Sequence, residues 1–318
     1  MAPILSVVIP TYNGEKFIAS ALESVRAQLG VDVEIVVVDD GSTDRTLNIV
    51  RDCAKTLPIR LLTPGRIGNW VAISNLGLRE ASAEWACFLH QDDLWLPGRI
   101  ARLRTEIGKT EGALILHNAK FIGPEGQYLG PWTCPLTKGS LFSSQFIERL
   151  LIQNFIAMPS PIFRRRAAIE SGGLDERLWF SADWDLWLRL GALGPVQFID
   201  ETLAAFRIHP ASQTASRGAN VDEWKQQLMV VFERHFQSWA APEHLKRRIE
   251  RAAIVSIEVN SMLAAASRGQ PVSLPVLMKL LRLGPSGCRR YLRDSRIVQR
   301  VRSRLKLPKK IAVESKPS

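Results

Sequence analysis

Two pairs of adjacent aspartates carry chemistry that the surrounding chain does not explain. Asp92 and Asp93, in "HQDDLW", follow the apolar run "WACFL" directly. Like charges side by side at the end of a buried strand are costly, so a partner must offset them. A hard divalent cation is such a partner, since it takes oxygen ligands and favours the charged carboxylate. Asp39 and Asp40 form the second pair, in "VEIVVVDDGSTD". Gly41 as a turn residue and Ser42 or Thr43 as a helix cap account for that corner without a ligand. They leave the doubled carboxylate over, and a carboxylate there accepts hydrogen bonds from a base N–H or a ribose hydroxyl.

Three further groups are candidates. "PTYNG" sets Thr11, Tyr12 and Asn13 after the run "LSVVI", with Pro10 and Gly14 as chain breakers, and taken alone it reads first as a plain turn. "SADWDLWLRLG" opens with Asp183 and Asp185 before an apolar helical pattern. Asp183 reads either as a base held at a helix start or as a charge that complements the helix dipole. Trp184, Trp187, Leu188 and Leu190 have the spacing of core residues. "FRIHPAS" ends a strand pattern with Arg207 and His209, where a histidine is open to a structural or a ligand role.

The elements that must position these groups alternate. "LSVVIP", "VEIVVVD", "IRLLT" and "WACFLH" are short continuous apolar runs, as expected of parallel strands buried on both faces. "EKFIASALESVRAQL" and "DRTLNIVRDCAKT" lie between them, the first with Phe17, Leu22, Val25 and Leu29 near helical spacing. The alternation predicts an α/β fold, a doubly wound, mostly parallel sheet with right-handed crossovers. Ligands in such sheets sit beyond the carboxyl ends of the strands, where "PTYNG", "DDGSTD" and "HQDD" fall.

The chain has 318 residues, 46% of them hydrophobic, enough for a large core. Its four cysteines are far apart and are read as free thiols in a reducing compartment. The N-terminus has no basic segment before its apolar run, and no apolar stretch reaches membrane-spanning length. The expected location is the cytoplasm, soluble or peripheral on the inner face of the membrane. There is no "GxxxxGK" or "GxGxxG" motif, which argues against a P-loop NTPase and a dinucleotide oxidoreductase. The net charge of +11 arises almost wholly after Val221, where about 20 Lys and Arg face about 8 Asp and Glu. "HPASQTASRGAN" reads as the linker at this shift in composition, dividing residues 1–215 from a basic, mostly helical appendage of residues 216–318.

Together, "LSVVIPTYNGEKFIASALESV", "VEIVVVDDGSTD", "GNWVAISNLGLREASAEWACFLHQDDLW", "SADWDLWLRLG" and "FRIHPAS" resemble, in order and spacing, the successive motifs of glycosyltransferase family 2. The resemblance runs from Leu5 to Ser212. It implies a Rossmann-like fold of the nucleotide-diphospho-sugar transferase type and an inverting, metal-dependent transfer of a hexose or deoxyhexose from a nucleoside-diphosphate sugar. By the same resemblance Thr11, Tyr12, Asn13, Asp39 and Asp40 contact the nucleoside and Asp92 the ribose. Asp93 then holds a manganese or magnesium ion on the diphosphate, His209 approaches that ion, and Asp183 is the base. The chain departs from the family pattern in three places. His90 and Gln91 precede the aspartate pair where an acidic residue is common, Ala182 precedes Asp183 where glutamate is common, and Ile73, Ser74 and Asn75 replace "ARN". The last change removes a cationic contact, for which Arg66 is the expected substitute, with Asn75 kept as a nucleotide contact.

Two other classes fit parts of this pattern: a catalytically silent nucleotide-sugar-binding protein, and a nucleotidyltransferase, for which "PTYNGEKF" is a poor phosphate loop. The basic appendage mixes Leu, Val and Ile with Arg and Lys. It suits either a solvated helical layer or contact with an anionic membrane, the latter matching a glycan or lipid-linked acceptor of the cell envelope. Nucleic-acid binding is disfavoured, because no recognition motif accompanies the charge.

Overall fold

The computed structural model describes residues 3–28, 32–212 and 220–307. Leu29, most of the expected linker (residues 213–219) and the last eleven residues lie outside them.

Alternating β-branched runs and amphipathic helices build the first half. Strand β1 (Leu5–Thr11), helix α1 (Ile18–Arg26), β2 (Val33–Asp39), α2 (Thr46–Cys53), β3 (Ile59–Leu62), α3 (Trp70–Glu80) and β4 (Trp85–Phe88) follow in order. β3, β2, β1 and β4 are neighbours, and all pair in parallel. The second half adds β5 (Leu94–Trp95), α4 (Arg99–Ile107), β6 (Leu114–Ile122), β7 (Tyr128–Trp132), β8 (Gly139–Leu141), α5 (Ser143–Leu150), β9 (Ile162–Arg164), α6 (Arg165–Glu170), α7 (Ala182–Ala192) and β10 (Val196–Arg207). Sheet order is β3-β2-β1-β4-β9-β6-β10-β5. The long strands β6 and β10 keep the direction of β1 to β4, and the short β5, β7, β8 and β9 run against it. The sheet is therefore doubly wound and mostly parallel, as expected, with its antiparallel pairings confined to short strands in the second half.

The period of two along each strand divides the core. Val8, Val36, Val38, Ala86 and Phe88 face the side covered by α3, α5 and α7, while Val7, Ile9, Ile35, Val37 and Cys87 face α1, α2 and α4. Trp184 and Trp187 on α7 are fully buried in the first of these layers, core residues as their spacing indicates. From Val221 the chain is helical: α8 (Val221–Ser238), α9 (Glu243–Ala266), α10 (Leu274–Leu281), α11 (Gly284–Ser295) and α12 (Ile297–Leu305). Leu228, Val231 and Phe232 of α8, Ile249 and Ala253 of α9, and Tyr291 of α11 join the α7 side of the core.

Ser42 and Thr43 do not cap α2. Asp44 Oδ1 accepts from the Thr46 N–H at 2.9 Å in their place, because Ser42 is turned back onto Asp39. All four cysteines are free, and burial pushes the Cys87 thiol up to about 11 and the Cys134 thiol up to about 12.

Candidate functional site

The carboxyl ends of β1, β2 and β4 lie side by side, and side chains lace them together. Asn13 takes a left-handed backbone conformation (φ 45°), which turns the chain sharply after β1. Its N–H donates to Ser42 Oγ at 2.9 Å, and its Oδ1 accepts from the Thr43 N–H at 2.9 Å. Gln91 Oε1 accepts from Thr11 Oγ1 at 2.5 Å and from the Tyr12 N–H at 2.9 Å. A side chain at position 14 would put its Cβ 2.2 Å from that same oxygen and so push Gln91 out of these bonds.

Asp39 and Asp40 are both almost fully buried. Asp39 accepts from the N–H and the hydroxyl of Ser42 at 2.9 and 2.6 Å. Asp40 Oδ1 accepts from the Ile67 N–H at 2.6 Å, and its carboxylate also takes the Gly68 N–H and the Arg66 guanidinium. That guanidinium lies 3.7 Å from the centroid of the Tyr12 ring and is half exposed. Arg66 therefore reaches the strand-end site, where a cation was expected. Asn75 does not. Its amide is saturated by the N–H and C=O of Leu174 and by Glu176, and it lines a separate cavity of about 400 Å³ with Arg189 and Arg234. It holds the 174–176 loop, and its bonds run to that loop and not to the strand-end side chains.

The aspartate pair after β4 meets the end of β10. The cause is local: β5 pairs antiparallel with β10, Leu94 opposite Ala205, so the residues just before β5 lie beside those just after β10. The Arg207 N–H donates to Asp93 Oδ1 at 2.9 Å, and Arg207 Nε donates to the Asp92 carbonyl at 2.8 Å. His209 Nε2 is 2.8 Å from Asp92 Oδ2, and its ring packs on Phe17 with centroids 4.6 Å apart. One ligand atom each from His90, Asp92 and Asp93 lie within 4.8 Å of one another.

Two buried atoms of this trio, Asp93 Oδ2 and His90 Nε2, have no hydrogen-bond partner among the described residues. Burial, with the neighbouring Asp92 charge, pushes the Asp93 carboxyl well above its usual range. Burial pushes Asp92 up too, but the hydrogen bond from His209 and the charges of His90 and His209 outweigh it and leave Asp92 lowered. Burial lowers His90, which favours the neutral imidazole that ligates metals. An orphaned carboxylate oxygen beside an orphaned imidazole nitrogen fits a divalent cation. His90 joins this candidate site although sequence reasoning did not single it out, and its only signal was its place two residues before the pair. His209 adjoins the trio through Asp92.

Asp183 sits in the first turn of α7, half-buried. Its Oδ2 accepts from Asn154 Nδ2 at 3.0 Å and its Oδ1 from the Trp184 N–H at 2.7 Å. Burial nevertheless pushes it up to about 6. Trp70 links this segment to the trio: its ring packs edge-on against His90 with centroids 5.1 Å apart, and its indole N–H donates to the Trp179 carbonyl at 2.7 Å. Asp185 is different. It is fully buried and bound by Arg189 at 2.9 Å, Arg234 at 2.8 Å and His235 at 2.8 Å, which makes it the anchor of α8 on α7.

Comparisons with known proteins bear on the family and the fold. The family model described as Glycosyl transferase family 2 matches residues 6–173, more than half of the chain. An uncharacterized glycosyltransferase of Rickettsia typhi is 26% identical over 238 residues, covering 70% of each chain. One of Nostoc sp. is 28% identical over 229 residues, covering 69% of each. The crystal structure of Staphylococcus aureus TarS 1-349 in complex with UDP-GlcNAc has the same fold, with a TM-score of 0.68 at 18% identity, over 94% of this chain and 88% of that one. A mannosyltransferase from Pyrobaculum calidifontis, in complex with GDP-Man and Mn2+, has a TM-score of 0.57 at 19% identity, over 96% and 87%. On the family match, the ordered strand-end motifs and the shared fold, this chain belongs to glycosyl transferase family 2.

Proposed function

We propose that this protein is an inverting glycosyltransferase that moves a hexose or deoxyhexose from a nucleoside-diphosphate sugar to an acceptor hydroxyl, in the synthesis of a cell-envelope or surface glycan. The observation that carries the reading is the pair Asp93 Oδ2 and His90 Nε2, buried and without a hydrogen-bond partner among the described residues, after β4 at the same edge of the sheet as Thr11, Tyr12, Asp39 and Asp40. The complexes of the two structural neighbours with UDP-GlcNAc and with GDP-Man and Mn2+ support the donor class and the cation.

The nucleoside lies against Tyr12, Asn13, Asp39 and Asp40, with Thr11 locked behind them by Gln91. Arg66, stacked on Tyr12, supplies positive charge at the same end. Asp92 takes the ribose and is oriented by His209. Asp93 and His90, with His209 alongside, would hold a manganese or magnesium ion, which would supply positive charge to offset that of the departing diphosphate. Asp183 accepts the proton of the acceptor hydroxyl at Oδ2 or Oδ1. Its pKa near 6 leaves it ionised at neutral pH, yet a stronger base than an exposed aspartate. Inversion needs only this one base and charge stabilisation on the opposite side, so no covalent nucleophile is required.

Residues 216–318 form the basic appendage of the 1–215 catalytic domain in this reading. They contact the anionic cytoplasmic face of the membrane, where a lipid-linked or glycan acceptor is presented. Incubating the protein with a panel of nucleotide sugars, with manganese, magnesium or chelator, tests the central claim. Metal-dependent release of one nucleoside diphosphate is expected. No release from any donor, with nucleotide binding intact, would favour a silent binding protein.

A further inference from the structure

Helix α10 is built against the rules for a helix in water. Its outward side carries Leu274, Met278 and Leu281, which recur at intervals of four and three and so share one face. They are 71%, 54% and 73% exposed, and no residue of this helix is buried. Val276 and Leu280, on the opposite side, pack against the core. Lys279 is tied down to Glu258 of α9 at 2.6 Å. The helix is thus apolar on the side that packs and on the side that faces water. The pattern is regional: of the twelve large apolar side chains that the described residues expose, seven lie between Val272 and Leu305. The exposed apolar face of α10, Leu274, Met278 and Leu281 together, has the character of an interaction surface.

Charge says what covers it. Between Arg268 and Lys306 the chain carries eleven Lys and Arg and a single carboxylate, Asp294. Asp294 is itself buried and paired with Arg293. Arg282 and Arg289, both exposed, follow the apolar face in the chain. A second copy of this chain would bring like charge against like charge. A nucleic acid would use the cations but leave Leu274, Met278 and Leu281 in water. An anionic bilayer uses both, because apolar side chains enter the headgroup boundary while Lys and Arg meet the lipid phosphates. No helix among the described residues is long and apolar enough to cross a membrane.

We propose that α10 is the element that seats this protein on an anionic phospholipid surface, lying in the plane of the interface with Leu274, Met278 and Leu281 inserted. The inference rests on the membrane reading of the basic region given above and names the segment and side chains responsible.

Sedimentation of the full chain with phosphatidylcholine vesicles, with and without about a third phosphatidylglycerol, tests it. The protein is expected to sediment with the anionic vesicles only. The doubly substituted L274E/L281E is expected to lose about tenfold or more in partitioning, while Leu193→Glu, at an exposed apolar position at the end of α7, binds as wild type. All three substituted positions are exposed, and equal donor hydrolysis in solution checks that the fold is kept. If the unsubstituted protein ignores anionic vesicles, the membrane reading fails and this inference with it. If it sediments and L274E/L281E sediments equally, charge alone does the docking and only the role of α10 is overturned. A wild-type dimer by light scattering that L274E/L281E dissociates would assign the face to a second copy and overturn the proposal.

Discussion

The backbone N–H of Arg207 donates to Asp93 Oδ1 at 2.9 Å, and this bond separates the two oxygens of Asp93 into a fixed one and an unshared one. Oδ1 is held by the end of β10, which orients the carboxylate. Oδ2, buried next to Asp92 and His90, has no hydrogen-bond partner among the described residues.

Asp93→Asn separates the two tasks, since the amide oxygen keeps the Arg207 bond and the nitrogen cannot ligate a cation. Burial and Asp92 raise the folded-state pKa of Asp93 above its unfolded value, so the ionised group costs stability once the pH rises past the ordinary carboxylate range. The metal-free Asn variant should therefore melt no lower than wild type at pH 7. Wild type at about a hundredfold excess of manganese over its Kd should gain about 2.7 kcal/mol. The variant should gain none. Calorimetry of nucleoside diphosphate with and without manganese completes the test, and unchanged metal-dependent affinity would remove Asp93 from the site.

The site was legible in the chain to the extent that its parts are local. Continuous apolar runs marked β1, β2 and β4, and the polar residues after each run had to fall at one edge of a parallel sheet. Contacts between distant segments were hidden. His90 reads as the last residue of a strand until the turn into β5 brings it beside Asp92 and Asp93. Asn75 sits where a nucleotide contact was expected, but the 174–176 loop, a hundred residues on, claims its amide. Ser42 has the composition of a cap and is diverted by Asp39, a competition that propensity does not encode. The short antiparallel strands β5, β8 and β9 had no periodic signal at two or three residues each.

Asp185 and Asp183, two residues apart, should respond to substitution in opposite ways. Asp185→Ala leaves Arg189, Arg234 and His235 facing one another without their shared carboxylate. The expected cost is about 3 kcal/mol of stability, together with loosening of α8 from α7. Donor hydrolysis per folded molecule should be unchanged below the melting temperature. A large loss of activity with an unchanged melting curve would bring Asp185 into the chemistry.

Arg300, on α12, is joined to Asp183, the proposed base, by a chain of hydrogen bonds. It donates to Asn260 Oδ1 at 3.2 Å, Asn260 donates to Gln153 Oε1 at 2.5 Å, Gln153 donates to the Asn154 carbonyl at 3.3 Å, and Asn154 donates to Asp183. Its charge also acts on Asp183 directly, lowering a pKa that burial raises. Arg300→Met should therefore move the acidic limb of the pH–rate profile upward, and Arg300→Lys should restore it in part. Donor affinity should hold in both variants. A limb that stays in place in the Met variant would confine Arg300 to packing.

Asp183→Asn tests the base itself. A helix-start charge would contribute stability, and its loss would lower the melting temperature by the equivalent of about 1 kcal/mol or less. The buried environment reverses that expectation. The folded-state pKa of about 6 lies above the unfolded value of 3.8, so ionisation costs stability, increasingly as pH rises from about 4 to 6 and fully above. The Asn variant should lose that pH dependence and melt at or above wild type at pH 7. As the base, Asp183 should be worth about 10²- to 10⁴-fold in turnover, or about 3 to 5.5 kcal/mol of transition-state stabilisation, with donor binding nearly intact. Wild-type turnover should fall on acidification through pH 6, as the carboxylate takes up its proton. Donor affinity, turnover and melting measured on the same preparation between pH 4 and 8 separate the outcomes. Normal turnover with a lowered melting temperature would make Asp183 a structural charge and leave the base of this transferase to be sought elsewhere in the cleft.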